Sequence, residues 1–212
     1  MAVAALRCLI AAGLAAAIIV CAGASPAQAY VIDGVRWPGT TITYYPTAYR
    51  TAVDRAARNW DHANVGVRFR RASSASAADV IVKLGAQQCG GFSIVGWPRW
   101  WSQSWVKLSS GCDRDLVTLV ATHEFGHTLG LGHESQRCAR MNPVVDYSGT
   151  PEFCEYHPIS YWLAHPLKGD DIRGARTLYS SPVRVRAASR PRVSSSAGAN
   201  SGTLFKEAVP RT

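Results

Sequence analysis

Residues His123 to His133 read HEFGHTLGLGH, and this segment constrains the architecture more than any other part of the chain. Its first five residues place two histidines four positions apart, and side chains at that spacing lie above one another on a helix. Glu124 follows the first histidine and is rotated about 100° from it around the helix axis. A helix over this segment therefore presents two imidazoles on one face and a carboxylate beside them.

The third histidine requires the helix to end. A straight helix would carry His133 about 9 Å along the axis beyond His127, too far for the two side chains to share one ion. Gly130 stands midway between them, and a glycine with positive φ commonly ends a helix. A chain that turns back at Gly130 brings three imidazoles together, a typical donor set for Zn²⁺. Packed core histidines are the alternative interpretation.

The rest of the chain predicts an α+β fold. Alternating apolar residues predict strands, and a spacing of three to four predicts helices. Between Gly132 and His165 the chain contains several prolines, and we expect loops there. The predicted strands are Thr40–Tyr45, Val65–Arg70, Asp79–Leu84, Phe92–Trp97 and Ser104–Leu108, and the predicted helices are Tyr49–Ala63, Asp113–Gly130 and Lys168–Leu178.

The two ends of the chain differ from its middle. In residues 1–29, Arg7 precedes the apolar run Cys8–Ala24, and Ala27-Gln28-Ala29 provides a small-residue cleavage site. This layout predicts a secretory signal peptide. The alternative is a membrane anchor, for which the apolar run is at the short end. Residues 180–212 are rich in Ser, Ala, Arg, Pro and Gly and predict a disordered basic tail. The folded domain is then residues 30–179 of a secreted, extracellular protein without stable membrane insertion.

Four cysteines remain after the signal peptide: Cys89, Cys112, Cys138 and Cys154. An even number in an exported chain favours two disulfides, with three possible pairings. Proximity in sequence suggests Cys89–Cys112 and Cys138–Cys154, while free thiols or a cysteine metal site are alternatives. No C-x-x-C spacing supports the metal site.

The formal net charge of +9 is concentrated in two arginine-rich stretches, 68–71 and 184–192. Neither stretch comes with a nucleic-acid-binding motif, so we predict no nucleic-acid partner. The charge favours solubility and loose adhesion to anionic surfaces.

The motif resembles the signature of the metzincin zinc peptidases, H-E-x-x-H-x-x-G-x-x-H followed by a Met-turn. Met141 stands eight residues beyond His133, where that turn is expected. In metzincins this methionine forms a hydrophobic floor under the metal; a packed core residue is the alternative. The resemblance implies a metzincin-type domain with a small mixed sheet, two long helices and a loop-rich C-terminal subdomain.

Within this group the chain is most similar to the matrixin type. The sequence Met-x-Pro at Met141 fits that type better than the astacin type, in which a tyrosine follows the methionine closely. The stretches Arg36–Gly39 and Lys168–Arg176 are also similar to matrixins. One departure is that residues 85–111 contain no Asp, Glu or His, so the structural zinc and calcium sites usual in matrixins are not expected there.

The resemblance implies a secreted zinc-dependent endopeptidase with one catalytic Zn²⁺ held by His123, His127 and His133. Glu124 would be the general base towards a zinc-activated water. A protein or peptide substrate would pair with an edge strand near Phe92–Trp97, and we predict a monomer. The main alternative is a catalytically weak zinc-containing binding protein that acts through its basic surface or its Trp cluster (Trp97–Trp105). A zinc hydrolase of non-peptide bonds is a further alternative, and the cleavage preference stays open.

Overall fold

The computed structural model describes residues 30–85, 88–99 and 103–180, and the backbone of Thr203–Leu204. The predicted signal peptide and nearly all of the predicted tail lie outside the described residues, so both stay predictions. Within the described ranges, no helix combines the length and the apolar character needed to cross a membrane.

A mixed sheet forms one layer of the domain, as predicted. Strands β1, β2, β3 and β5 run parallel, and β4 pairs antiparallel with β5. The short β6 lies antiparallel on the other side of β4, giving the order β2-β1-β3-β5-β4-β6. The strands are β1 (Thr41–Pro46), β2 (Arg68–Arg71), β3 (Val80–Leu84), β4 (Gly91–Ser93), β5 (Ser104–Leu108) and β6 (Thr203–Leu204).

The two faces of the sheet differ because side chains alternate along each strand. Ile42, Val80 and Val106 are fully buried on the inner face, within the hydrophobic core. The outer face carries Trp105 and Lys107, which alternate along β5 with buried residues such as Val106. The sheet therefore has one apolar face for the helices to cover.

Within the residues that the structure describes, four α-helices accompany the sheet: α1 (Arg50–His62), α2 (Arg114–Leu129), α3 (Ile159–Ala164) and α4 (Gly169–Tyr179). Helix α2 carries the histidine motif and is buried from Leu116 to Leu129. Helix α1 packs on it, and the Trp60 indole donates to the Thr122 carbonyl at 2.8 Å. The motif helix is therefore the central element of the core.

Most predicted elements are confirmed to within a few residues, with two corrections. The predicted strand Phe92–Trp97 ends at Ser93, because Gly96 has a φ of 69° and the chain turns there to form a bridge with Val35. Helix α3 lies in the segment predicted as loops. Its six residues are too few to show helical periodicity.

Both disulfides form as proximity in sequence suggested. Cys89–Cys112 joins the segment before β4 to the segment before α2, and Cys138–Cys154 ties the chain beside Met141 to the loop before α3. Both loop-rich segments next to the motif helix are thus cross-linked.

We expect each disulfide to contribute about 3 kcal/mol to the free energy of unfolding, because the bridges close loops with sequence separations of 23 and 16 residues. The double variant Cys138→Ser/Cys154→Ser should lose about that much in urea denaturation. Peptide mapping without reductant checks the pairing, and a peptide joining Cys112 to Cys138 would contradict it.

Candidate active site

The reversal at Gly130 brings the three motif histidines together. Helix α2 ends there with Gly130 at φ 109°, and the Leu131 amide donates to the Gly126 carbonyl at 3.0 Å. The Nε2 atom of His123 lies 3.0 Å from that of His127 and 3.3 Å from that of His133. The Nε2 atoms of His127 and His133 are 3.2 Å apart. The turn predicted from the sequence therefore places all three imidazoles at one point.

The other ring nitrogen of two histidines is held by the backbone. His123 Nδ1 lies 2.8 Å from the Arg140 carbonyl oxygen, and His127 Nδ1 lies 2.8 Å from that of Leu131. A carbonyl oxygen only accepts, so both Nδ1 atoms carry the hydrogen and both Nε2 atoms carry a lone pair. No hydrogen atom therefore lies between these two Nε2 atoms, and their lone pairs face each other without a hydrogen bond. Such an arrangement suits a shared cation.

Burial keeps the three imidazoles neutral near pH 7. It lowers the pKa of His127 to about 3, with the neighbouring His133 adding to the effect. Burial also lowers the pKa of His123 well below its usual value, and that of His133 in the same direction. Neutral imidazoles are the form that binds metals. In the described ranges this trio is the one set of three or more His, Cys, Asp or Glu groups with clustered ligand atoms, and its donors fit Zn²⁺.

Met141 packs directly against the motif helix. It is buried, and a Cβ added at Gly126 would overlap its sulfur and lie 3.1 Å from the Trp60 ring. Glycine is therefore required at position 126 for this methionine to reach the helix. Met141 therefore contacts α2 at Gly126, next to His127, and its role as the floor of a metal site stays a prediction.

Asp171 of α4 holds the turn that contains Met141. Its Oδ2 accepts from the Arg140 amide at 2.9 Å and its Oδ1 from the Met141 amide at 3.1 Å. Oδ2 also accepts from the Lys168 amide at 2.7 Å. Because the Arg140 carbonyl contacts His123, Asp171 orients that ring through the turn. The sequence gives no signal for this role, since nothing near residue 171 links it to residues thirty positions earlier.

Two further polar residues that we had not predicted shape the loop after His133. Glu134 is buried, and its Oε1 accepts from the amides of Gln136 and Arg137 at 2.6 and 3.0 Å. Asn142 donates to the carbonyls of Glu134 and Arg137 at 2.7 and 2.8 Å. These bonds satisfy backbone groups that the irregular loop would otherwise bury unpaired.

Glu124 is fully buried between α2 and β4. Its Oε2 accepts from the Ser93 hydroxyl at 2.6 Å, while Oε1 has no hydrogen-bond partner among the residues that the structure describes. Burial raises the pKa of Glu124 to about 8, and the bond from Ser93 opposes that rise. Ser93 is a contact that sequence reasoning missed, because a lone serine in a strand gives no signal.

The Trp cluster does not form one platform in the described residues. Trp97 packs against the core, and Trp105 stacks on Phe92 on the outer face of the sheet with ring centroids 5.3 Å apart. The Nζ of Lys107 lies 4.8 Å from the centroid of the Trp105 ring. Trp100 and Trp101 lie outside the described residues.

We expect Asp171→Ala to lower the free energy of unfolding by roughly 3 kcal/mol or more, because three backbone amides lose their acceptor. The loosened turn should also weaken zinc binding by about 10- to 100-fold. Asp115→Ala is the control, since Asp115 is exposed in the first turn of α2 and its loss should cost under about 1 kcal/mol. Urea denaturation and zinc titration measure both effects, and equal losses in the two variants would contradict this account.

The comparisons with known proteins agree with this geometry. The sequence model described as Astacin (Peptidase family M12A) matches residues 32–146, more than half of the chain. A hatching enzyme from Paracentrotus lividus is 33% identical over 147 residues, covering 61% of this chain and 22% of that protein. Human matrix metalloproteinase-16 is 30% identical over 89 residues, covering 42% and 13%. The chain thus spans less than a quarter of the length of these relatives.

Among solved structures, one of myroilysin has a TM-score of 0.47 at 16% identity and covers 70% of this chain and 97% of that one. A likeness at this level carries no argument. The metzincin prediction is confirmed by the sequence matches. The matrixin subtype is not, because the matching family model is that of the astacins; the spacing after Met141 is too short a signal to decide the subtype. This chain belongs to the astacin family of metallopeptidases, within the metzincins.

Proposed function

We propose that this domain is a zinc-dependent endopeptidase of an exported protein. His123, His127 and His133 would hold a single Zn²⁺, and Glu124 would act as general base. The observation that carries the proposal is three neutral imidazoles with Nε2 atoms 3.0–3.3 Å apart, in a chain that also buries a carboxylate one residue after the first of them.

The metal would be held through the Nε2 atoms, since Nδ1 of His123 and of His127 is engaged by a carbonyl oxygen. Zinc bound there would polarise the scissile carbonyl and lower the pKa of the attacking water. The Arg140 and Leu131 carbonyls keep two rings in the orientation that presents their lone pairs. The buried surroundings of these rings also exclude bulk water.

Glu124 would accept a proton from the attacking water and deliver it to the leaving nitrogen. A pKa near neutrality suits both steps, because the same group must take up and release the proton. Burial raises the pKa of Glu124 to about 8, and a nearby divalent cation would favour the ionised form. The carboxylate would then be charged at neutral pH in the loaded protein.

The substrate would bind as an extended strand along β4. On one side β4 pairs with β5, and on the other it pairs antiparallel with Thr203–Leu204. That pairing supports the idea that this edge accepts an additional strand. A peptide bound at Phe92 and Ser93 would take the place of Thr203–Leu204.

Export of the chain is part of the same proposal. Two disulfides are typical of proteins that fold in an oxidising compartment. They support an extracellular location for the domain. We also propose that a signal peptide is removed after residue 29 and that the domain is a monomer. Protein or peptide substrates follow from the family, and no nucleic-acid partner is proposed.

The alternative is a zinc-containing binding protein with weak catalysis. The observation that favours it is the outer face of the sheet, where Lys83 and Lys107 both lie over the Trp105 ring. A binding protein has no evident use for Glu124, whose full burial is costly. We therefore favour the peptidase.

Mature protein from Tyr30 should cleave unfolded casein, stop when zinc is removed by a chelator, and recover when zinc is returned. Glu124→Gln should keep zinc but lose roughly 100- to 10,000-fold in kcat, because proton transfer loses its base. Glu155→Gln, at an exposed carboxylate, is the matched control and should behave like wild type. Chelator-resistant cleavage, or full activity of Glu124→Gln, would refute the proposal; zinc binding without cleavage would favour the binding protein.

A further inference from the structure

The carboxylate proposed as general base is held by the strand proposed to bind substrate. The Ser93 hydroxyl of β4 donates to Glu124 Oε2 at 2.6 Å. Both side chains are completely buried, with 0% relative exposure. A glutamate is almost never buried to this extent without a partner, and the Ser93 hydroxyl is that partner.

Gly91, two residues earlier on β4, contacts the same carboxylate. A Cβ at this position would lie 2.5 Å from Glu124 Oε1, 2.7 Å from its Cγ and 2.8 Å from its Cδ. Gly91 is not among the glycines with positive φ, so its backbone conformation is open to other residues. The close approach of Glu124 is therefore what favours glycine here. Residues two apart on a strand face the same side, so Gly91 and Ser93 form one cradle.

We propose that Ser93 is a positioning residue for the Glu124 carboxylate and that Gly91 completes the cradle. This inference rests on the proposed function, because it assigns a role in the same proton transfer. The Ser93 hydroxyl fixes Oε2, which leaves Oε1 as the oxygen that takes the proton. The water loses one proton to Oε1, Oε1 passes it to the leaving nitrogen, and Ser93 keeps its own proton throughout.

The cradle also aligns the base with the substrate. The backbone of Phe92 and Ser93 forms the edge at which β4 pairs antiparallel with another strand. A peptide bound in that register is aligned by the same residues that hold Glu124. A shift of β4 would therefore move the substrate and the base together, which keeps the reacting groups in register.

The chain offers a matched serine for the test. Ser104 of β5 is buried with 1% relative exposure, and its hydroxyl has no hydrogen-bond partner among the described residues. Ser104→Ala therefore removes a buried strand hydroxyl without touching the site. Gly39→Ala is the control for Gly91→Ala, because a Cβ at Gly39 meets its nearest neighbours at 3.8 and 3.9 Å, in ordinary contact.

The test uses zinc-loaded mature protein from Tyr30, purified as Ser93→Ala, Ser93→Thr and Ser104→Ala. Ser93→Ala should lose roughly 10- to 100-fold in kcat, the value of a hydrogen bond to a charged group. Its KM should stay within about twofold, because the strand backbone that would pair with substrate is unchanged. Ser93→Thr returns the hydroxyl and should restore most of kcat, and Ser104→Ala should match wild type. Wild-type kcat in Ser93→Ala would overturn the inference. A rise in KM with unchanged kcat would overturn it as well.

Glu124→Gln separates this inference from the proposed function. In that background Ser93→Ala should change the residual rate by less than about twofold, because Ser93 acts through the carboxylate. An active Glu124→Gln enzyme would refute the proposed function itself. An inactive Glu124→Gln enzyme beside a fully active Ser93→Ala enzyme would refute the cradle alone. If Ser93→Ala does not fold, Gly91→Ala decides: a loss of kcat that Gly39→Ala does not share supports the cradle, and wild-type kcat overturns it.

Discussion

Holding three imidazole nitrogens within 3.3 Å of one another is the constraint on which the rest of this domain depends. Two of these nitrogens carry lone pairs that repel, and burial removes the water that would solvate them. The fold meets this constraint with a buried helix and a tight turn. A buried helix presents His123 and His127, and a glycine with φ 109° returns the chain to present His133.

The helix itself is held at its backbone by donors from elsewhere in the chain. The Trp37 indole donates to the Thr128 carbonyl, and the Tyr179 hydroxyl donates to the Leu129 carbonyl, both at 2.8 Å. These bonds satisfy the last carbonyls of α2, which a helix end leaves without internal partners. The position of the turn at Gly130 is therefore fixed by Trp37, near the start of the domain, and by Tyr179, near its end. Asp171 ties the Met141 turn to α4 in the same way, so the site is fixed by contacts remote in sequence.

The sequence was sufficient to predict that three histidines meet at one point, but not to predict what orients them. The motif HEFGHTLGLGH predicts that its three histidines cluster, because their spacing fits one face of a helix followed by a turn at one glycine. The roles of Asp171 and Ser93 depend on which elements lie beside α2, and a single aspartate or serine carries no such information. Helix α3 was missed for a related reason, since six residues after Pro158 are too few to display a period. The astacin assignment likewise needed comparison across residues 32–146 rather than the few positions after Met141.

The account stands on a single metal ion bound by three imidazoles, and X-ray absorption at the zinc K edge tests it directly. Purified mature protein loaded with one equivalent of zinc should show three imidazole ligands at about 2.0–2.1 Å, in a light-atom shell that water completes. It should show no sulfur, with the four cysteines engaged in disulfides. His133→Ala should lower the imidazole count to two. A shell containing sulfur, or one with fewer than three imidazoles in the wild-type protein, would contradict the account.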